Sequence, residues 1–416
     1  MSRICIMDER EERPAPPFLQ DAFEALGHAT TTVFIEGRNN TELRGLLSAA
    51  NADLFVAIQT VGFLAAEALA APEFASKKIA VLFYDDPVST YFLFGRRHPF
   101  FSSPHVHFFI WDGYWLRLFE KLTGRSCFST HLAAETKHFS PGKKDLIPQV
   151  RDCVVFLGNI PSEGMLRKLE GGLPPAYQRV AAAVRSRLAA GPYAMNPFES
   201  LDLCLAELPQ ESTCVRGDIK QYIDSTPDFS KPLAPHIQLR QFAWQYGKRE
   251  TRLRAMRAAV QAAPLAILSN LKDPQAAGEK ELRDLLQPGA KKNLLFVDTS
   301  EASYYQLAHL YSSGRFHLQS TDPQSVEGGI PYRVFQCAAC AVPLVSDAKK
   351  ELAEMFKPDQ EIVLYKNEAD LGVVVEKAWK EPDRMRVMGE AAHRRFLQDH
   401  TWTHRMRDVL NALRLG

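Results

Sequence analysis

Short apolar runs alternate with amphipathic segments through the first third of the chain. Five of these runs are rich in apolar and β-branched residues: Arg3–Met7, Thr30–Phe34, Asp53–Ile58, Lys78–Tyr84 and His107–Trp111. Apolar strands that are separated by helices are typical of a parallel sheet covered on both faces. The pattern therefore predicts a Rossmann-like N-terminal domain over residues 1–150, with its ligands at the carboxyl ends of the strands.

A second set of strands follows the polar stretch Gly142–Val150, which we interpret as a linker. The first of these strands is Cys153–Leu157, and the segment Glu163–Ala263 after it is mostly helical by its period. Strand patterns resume further along, at Leu265–Leu268, Asn293–Val297, Phe316–Gln319, Val342–Val345 and Ile362–Tyr365. We expect a second α/β domain over residues 151–385 with a helical insertion at 163–263, followed by a C-terminal helix at 386–416.

The composition indicates a folded protein without a strong overall charge. Apolar residues make up 46% and charged residues 24%, and the formal net charge is +1, which gives no general attraction to nucleic acid or to anionic membranes. The N-terminal residues lack the apolar core of a signal peptide, and no apolar run is long enough to span a bilayer. Seven scattered cysteines suit reduced thiols. We therefore expect a cytoplasmic protein without a transmembrane segment and without a nucleic-acid partner.

The first predicted domain lacks a phosphate-binding motif. The residues after its first strand, Asp8–Pro14, are mostly charged, whereas a dinucleotide fingerprint needs glycines there. The second domain offers an alternative in Glu327–Ser346, where the pair Gly328–Gly329 precedes a short helical run. Glycines let the backbone approach a ligand, and a helix start attracts anions. We expect a phosphate-bearing ligand to bind at this segment.

Several residues around this segment are candidates for ligand binding. Besides Gly328, Gly329 and Ile330, Arg333 in the first helical turn can add a bidentate contact to a diphosphate, or else form an ion pair with a helix carboxylate.

Tyr332 can stack on a nucleobase or simply pack. Asn159 and Asn270 follow the first two strands of the second domain, where polar residues face the ligand crevice, although asparagine at a strand end is equally a turn residue.

A catalytic base is predicted in the first domain. Asp85 and Asp86 follow the strand Lys78–Tyr84, and Asp86 is our candidate to accept the proton of a substrate hydroxyl. The alternative is that Asp86 caps a helix before its turn. Asp112 and His131 occupy comparable positions at strand ends.

The basic run Arg240–Arg257 is interpreted as a solvated face over an apolar stripe. Its alternative is an acceptor surface for an anionic glycan, a lipid head group or an acidic protein.

Five blocks in the last quarter of the chain resemble the C-terminal half of the CgeB-like glycosyltransferases, a family of the GT-B group. In chain order they are Gly328–Ala341, Pro343–Asp347, Leu352–Pro358, Glu361–Tyr365 and His400–Arg405. Upstream, His131–Pro141 and Val154–Asn159 are similar to the segments that end the family's first domain and open its second. The order and the spacing of the blocks make the resemblance specific.

The resemblance implies a GT-B fold, in which two Rossmann-like domains face each other across a cleft. The C-terminal domain would hold the nucleotide of the donor, the N-terminal domain would hold the acceptor, and the helix at 386–416 would cross back to the first domain. It also implies a nucleotide-sugar-dependent glycosyltransferase (hexosyltransferase type) that works without a metal or other cofactor, with the nucleotide diphosphate-sugar as co-substrate. The acceptor would be a glycan, a protein or a lipid-linked sugar.

Two positions depart from the family pattern. Gln336 stands where the family usually has a glutamate that bonds the ribose hydroxyls, and glutamine keeps one acceptor for that contact. Ala341 stands where the family normally has glycine. These departures motivate the alternative hypothesis of a catalytically inactive, GT-B-like nucleotide-binding or scaffold protein.

Overall fold

The computed structural model describes residues 1–9, 17–142, 147–224, 234–288, 290 and 292–415. Part of the predicted linker Gly142–Val150, part of the segment Asp8–Pro14 and residues 225–233 of the predicted insertion lie outside the described residues, as does residue 416. The described chain forms two parallel six-stranded sheets with helices on their faces. The predicted α/β class is confirmed.

The first sheet has the strand order β2-β1-β3-β4-β5-β6, and all its neighbours are parallel. Its strands are β1 (Arg3–Asp8), β2 (Ala29–Phe34), β3 (Leu54–Ile58), β4 (Lys78–Phe83), β5 (Val106–Ile110) and β6 (Phe128–Ser129). Its helices are α1 (Pro17–Ala25), α2 (Asn40–Ala50), α3 (Val61–Leu64), α4 (Ala66–Leu69), α5 (Pro87–Phe94), α6 (Pro99–Ser102) and α7 (Gly113–Thr123). Strands β3 and β4 are buried along nearly their whole length, as their continuous apolar sequences predict.

The second sheet has the order β12-β11-β10-β7-β8-β9 and is also parallel throughout. Its strands are β7 (Val154–Leu157), β8 (Leu265–Ser269), β9 (Leu294–Asp298), β10 (Phe316–Gln319), β11 (Leu344–Asp347) and β12 (Val363–Tyr365). The remaining helices are α8 (Glu163–Gly171), α9 (Pro175–Ala190), α10 (Pro197–Glu207), α11 (Pro209–Asp224), α12 (Pro235–Ala262), α13 (Glu279–Leu286), α14 (Leu307–Tyr311), α15 (Tyr332–Ala339), α16 (Lys350–Met355), α17 (Glu368–Lys380), α18 (Pro382–Asp399) and α19 (Trp402–Ala412).

Helices α8 to α12 lie between strands β7 and β8 of the second sheet. They share a buried core around Tyr177 and Phe242. Helix α12 has 28 residues and buried positions on several sides, because it packs on the insertion and on α17 at the same time. The insertion also reaches the first domain, where Phe198 of α10 lies edge-on against Trp115 of α7, with ring centroids 4.8 Å apart.

The last segment consists of two helices rather than the single helix that the sequence predicts. Helix α18 packs on α15 of the second domain, and α19 packs on α1 of the first. The break lies at His400 and Thr401, where the Thr401 hydroxyl lies 2.7 Å from His404 Nδ1 and starts α19 with a polar cap. Trp402 stacks on Phe18 at 4.5 Å, so the chain crosses back to the first domain through α19.

Helix α15 ends in a left-handed turn at Ala341, whose φ is 57°. The Val342 N–H donates to the Cys337 carbonyl and the Ala341 N–H to the Ala338 carbonyl, which is the bonding pattern of a C-terminal turn that normally uses glycine. The preference for glycine at such a turn has a physical reason, since alanine in a left-handed conformation is strained by roughly 1–2 kcal/mol.

We predict that Ala341→Gly stabilises the fold. The strain is relieved, and the greater entropy of glycine in the unfolded chain offsets about 0.4–1 kcal/mol of that gain. The net increase in the free energy of unfolding is up to about 1.6 kcal/mol, measured by urea denaturation. Ala339→Gly, two residues earlier inside α15, is the control and should be destabilising. A lower stability for Ala341→Gly would contradict this account.

Candidate functional site

The glycine loop in front of α15 binds a carboxylate of the protein itself. Asp112 Oδ2 accepts hydrogen bonds from the backbone N–H groups of Glu327, Gly328 and Gly329, at 3.0, 3.0 and 2.8 Å. The predicted anion-binding geometry is therefore present, but a first-domain side chain occupies these N–H groups. The sequence predicts a ligand phosphate at this position.

Asp112 accepts hydrogen bonds from groups in both domains. It follows β5, and its Oδ1 caps helix α7 by accepting from the N–H groups of Tyr114 and Trp115 at 2.9 and 3.4 Å. The residue is only 1% exposed. A buried carboxylate needs several donors to offset its lost hydration, and the five N–H groups supply them.

Both glycines of the loop allow a close approach to neighbouring side chains. A Cβ atom on Gly329 would lie 3.0 Å from the indole of Trp111, and one on Gly328 would overlap the carboxyl group of Glu351. Burial, together with the charge of Asp112, raises the pKa of Glu351 to about 7. The loop is therefore surrounded by acidic groups from both sides of the cleft.

Arg333 lies on the opposite side of the helix start, against the carboxyl end of the second sheet. Its Nη1 donates to Gln319 Oε1 at 2.9 Å, and its guanidinium lies 5.6 Å from the ring centroid of Phe156. Gly158 follows β7 with a φ of 145°, and a Cβ there would come within 2.7 Å of Arg333 Nη2. Glycine at this position is what leaves room for the guanidinium.

Helix α12 contributes two further cations, Lys248 and Arg252, and the charge of Arg333 acts on Arg252. Lys248 Nζ lies 2.9 Å and Arg252 Nη2 3.7 Å from Asp322 Oδ2, and the indole N–H of Trp244 donates to Asp322 Oδ1 at 2.5 Å. Burial and the neighbouring Arg333 charge, against the pull of Asp322, lower the pKa of Arg252 to about 10. Burial alone would raise the pKa of Asp322, but Lys248 and Arg252 lower it to about 2.

The resulting cluster carries an excess of positive charge. Arg252 senses the charges of Asp322, Arg333 and Asp347, and Lys248 pairs with Asp322. Asp347 accepts hydrogen bonds from both the N–H and the hydroxyl of Thr321. Arg252 and Asp347 are buried, and Lys248, Arg333 and Asp322 are partly buried, so these five residues among themselves carry a formal excess of one positive charge that an anion can neutralise. We refer to Lys248, Arg252, Arg333, Asp322 and Asp347 as the cationic cluster.

The sequence analysis missed Lys248 and Arg252. Both belong to the basic run Arg240–Arg257, which we interpreted as a solvated face, and the structure corrects this because most of its cations have internal partners. Arg249, for example, pairs with Glu281 at 2.8 Å. The sequence does indicate that these residues share a site, because the spacing of Trp244, Lys248 and Arg252 puts all three on one side of a helix.

The two candidate asparagines have structural partners. Asn159 Oδ1 accepts from the Ser269 hydroxyl at 3.1 Å and from the Asn270 N–H at 2.9 Å, which joins the ends of β7 and β8. Asn270 Oδ1 accepts from the Asp273 N–H at 3.1 Å, as in a turn. The turn interpretation of these residues accounts for both contacts. The Asn159 carbonyl accepts from Arg252, so the strand end adjoins the cationic cluster.

The other candidates along α15 are placed in the protein interior. Gln336 Oε1 accepts from the Tyr311 hydroxyl at 2.8 Å, and Ile330 is 1% exposed. Tyr332 packs near Tyr84 and Trp402, with ring centroids 6.5 and 6.1 Å away. Of the residues predicted for α15 and its loop, the structure brings Arg333 alone into the cationic cluster.

Asp86 is a helix cap, which corrects its prediction as the base. Its Oδ1 accepts from the Val88 N–H at 2.8 Å, and its Oδ2 accepts from the Ser89 hydroxyl and from Arg240 Nη2, each at 2.8 Å. The side chain is 4% exposed. Both carboxylate oxygens of Asp86 are therefore occupied by donors of the protein itself.

Asp85, its neighbour, is exposed in the cleft between the first domain and α12. Its Oδ2 accepts from the side-chain amide of Gln59. Partial loss of hydration beside the cleft, together with the charges of Asp322 and Asp86, raises the pKa of Asp85 to about 6. This carboxylate is accessible and easily protonated, which are the properties that a general base requires.

Two classes of feature are not found in the described part of the chain. There, no group of three or more His, Cys, Asp or Glu side chains is arranged to hold a metal ion. None of the helices in the described ranges combines the length and the apolar character needed to cross a membrane.

Comparisons with known proteins agree with this architecture. Residues 276–411 match a protein family described as glycosyl transferase-like. Sucrose-phosphate synthase from Thermosynechococcus elongatus is similar over 99% of this chain and 98% of its own, with a TM-score of 0.57 and 11% identity. HepE from Anabaena, solved in complex with UDP-glucose, is similar over 99% of both chains, with a TM-score of 0.55 and 9% identity. No match was found among curated proteins. The likeness confirms the predicted GT-B fold.

We predict that Asp112→Ala lowers the free energy of unfolding by about 2–4 kcal/mol, because the loop and helix N–H groups lose a buried, charged acceptor. Asp112→Asn keeps one acceptor oxygen and should show an intermediate loss. Urea denaturation measures both variants, with Asp152→Ala, at an exposed carboxylate, as the control. Wild-type stability for Asp112→Ala would show that this contact does not hold the two domains together.

Proposed function

We propose that this chain, as a glycosyltransferase of the GT-B fold, moves a sugar from a nucleoside diphosphate donor to an acceptor. The observation that carries the proposal is the convergence of Lys248, Arg252 and Arg333 at the carboxyl ends of the second sheet. Ligands of open α/β sheets bind at these ends, and a diphosphate is the anion that such a cluster would neutralise.

The cationic cluster would act on the leaving group. When the bond between the anomeric carbon and the phosphate oxygen breaks, the electron pair stays with the diphosphate, whose charge rises. Lys248, Arg252 and Arg333 are already fixed by internal contacts, so they would stabilise that charge without reorganising. Their charge supports our proposal that transfer requires neither a metal nor another cofactor.

Asp85 would be the base if the transfer inverts the anomeric centre. It is the accessible carboxylate on the first-domain side of the cleft, and its raised pKa of about 6 suits proton transfer near neutral pH. We assign this role to Asp85 in preference to Asp86, because Arg240 binds Asp86.

The donor, the acceptor and the subgroup are finer parts of the proposal. HepE was solved with UDP-glucose, which supports a UDP-sugar as the first donor to test. The acceptor would be a glycan, a protein or a lipid-linked sugar, and the CgeB-like subgroup rests on the five sequence blocks. The seven free cysteines support a reducing, cytoplasmic location.

A nucleotide-binding protein without turnover is the second candidate. One observation favours it, which is that Asp112 occupies the loop N–H groups where a donor would be expected to bind. Titration with UDP, GDP and dTDP, combined with an assay for hydrolysis of the corresponding sugar donors, separates the two functions. Binding without turnover supports the second, and no nucleotide binding would contradict both.

We predict that Lys248→Met and Arg333→Met each weaken the binding of the preferred nucleoside diphosphate by at least about tenfold, or about 1.4 kcal/mol. Methionine keeps much of the aliphatic packing and removes the positive charge. Calorimetric titration measures the dissociation constants. The matched control is Lys280→Met on α13, where the lysine is exposed and pairs with Asp284. Unchanged affinity in both cluster variants would remove the cluster from the donor site.

We predict that turnover at saturating donor falls as the pH drops below about 6, because protonation of Asp85 removes the base. Above that pH the carboxylate is ionised and the rate should level off. Asp85→Asn should lower kcat by about 10²–10⁴-fold and abolish the acidic limb of the profile. Release of the nucleoside diphosphate measures the rate. A residual acidic limb in Asp85→Asn would assign the titration to another group.

A further inference from the structure

A cavity of about 310 Å³ lies between the carboxyl ends of the first sheet and the helical insertion. Asp85 and Asp86 line it from the first domain, and Gln241 and Trp244 of α12 line it from the insertion. Its size is at the lower end of the range for small-molecule sites. One wall therefore belongs to helices that lie between β7 and β8, outside the two sheets.

The cavity connects to the cationic cluster through Trp244. The indole N–H donates to Asp322 at 2.5 Å, and Lys248 Nζ lies 5.2 Å from the centroid of the indole. These contacts fix the ring between the cluster on one side and the cavity on the other. The charges of Asp322 and Lys248 also act on Asp85. Asp85 therefore lies close to the place where the cavity adjoins the cationic cluster.

The charges of the cavity differ from those of the cluster. Asp86 and Arg240 neutralise each other at 2.8 Å, and the guanidinium of Arg240 also lies over Phe198 at 4.9 Å and over Trp115 at 5.7 Å. Asp85 remains, without an ion-pair contact within 4 Å in the described structure. The lining therefore has one carboxylate without an ion-pair partner of its own, on which Lys248 acts only from a distance, and such a carboxylate disfavours phosphate and carboxylate groups.

The polar groups that remain suit hydroxyl groups. The side-chain amide of Gln241 and the hydroxyl of Thr90 line the same cavity, and the Ser89 hydroxyl, which donates to Asp86, can still accept a hydrogen bond there. Amides and hydroxyls donate and accept hydrogen bonds, as sugar hydroxyls do, while the indole of Trp244 offers an apolar surface for the C–H face of a sugar ring.

We propose that this cavity binds the acceptor, and that the acceptor is the uncharged end of a carbohydrate rather than a phosphorylated or acidic one. The inference rests on the proposed function and adds the acceptor class and the part of the chain that selects it. Helix α12 is that part. This assignment also replaces the anionic acceptor that the basic run Arg240–Arg257 suggested.

The chemistry balances within this arrangement. A hydroxyl oxygen of the bound sugar forms a bond to the anomeric carbon of the donor while the bond from that carbon to the phosphate oxygen breaks. The hydroxyl proton passes to Asp85, and the electron pair of the broken bond leaves with the diphosphate. No oxidant, reductant or further reactant is needed.

The test is a glycan array that carries neutral, amino-bearing, phosphorylated and uronate-terminated sugars, probed with the full chain in the presence of UDP, GDP or dTDP. We expect the wild-type chain to retain neutral termini at least tenfold better than uronate or phosphate termini. Gln241→Lys adds a cation to the lining and should reduce that preference at least tenfold. The matched control is Gln245→Lys, one turn further along α12 and outside the cavity lining, which should keep it.

Two results would overturn the inference. The first is that the wild-type chain retains anionic glycans, or retains no glycan. The second is that Gln241→Lys shows the same preference for neutral termini as the wild type. Nucleotide titration of the same three proteins reports separately on the proposed function and on folding. If a nucleotide binds but the array result is negative, the acceptor inference fails alone; if no nucleotide binds, the proposed function fails.

Discussion

The bond between Asp112 and the glycine loop is the contact that the arrangement of the two sheets depends on. A carboxylate from the end of β5 accepts three N–H groups from the loop that precedes α15. Because burying a charge is unfavourable without several donors, the two strand ends cannot shift apart without leaving polar groups unsatisfied. The contact thereby sets the position of Asp85, on the first sheet, relative to Arg333, on the second.

The helical insertion adds side chains to the cleft between the two sheets. Arg240 of α12 binds Asp86 in the first domain, while Lys248 and Arg252 of the same helix bind Asp322 in the second. A GT-B fold needs a cleft between two sheets, yet in this chain the cleft has a third wall with both charged and aromatic groups. The chemistry of the candidate site thus depends on residues that neither sheet supplies.

The sequence predicts the fold well because its signals are local. Apolar runs give the strands to within two residues, except for the two-residue β6, which is too short to show a pattern. The site was harder to predict, since it depends on which partners meet in space. Asp112 and Gly329 are 217 residues apart, and nothing near either one indicates the bond. The cap at Asp86 was readable before Pro87, whereas Lys248 looked like one of many surface cations.

Helix α12 has a further consequence that follows from its continuity. Gln241 and Trp244 line the cavity, and Lys248 and Arg252 reach the cationic cluster, all on consecutive turns of one unbroken helix. With a rise of 1.5 Å per residue, Gln241 and Lys248 are separated by about 10 Å along the axis. The separation of the two proposed substrate positions is therefore an internal dimension of one rigid element, and it stays the same whether the domains are apart or together.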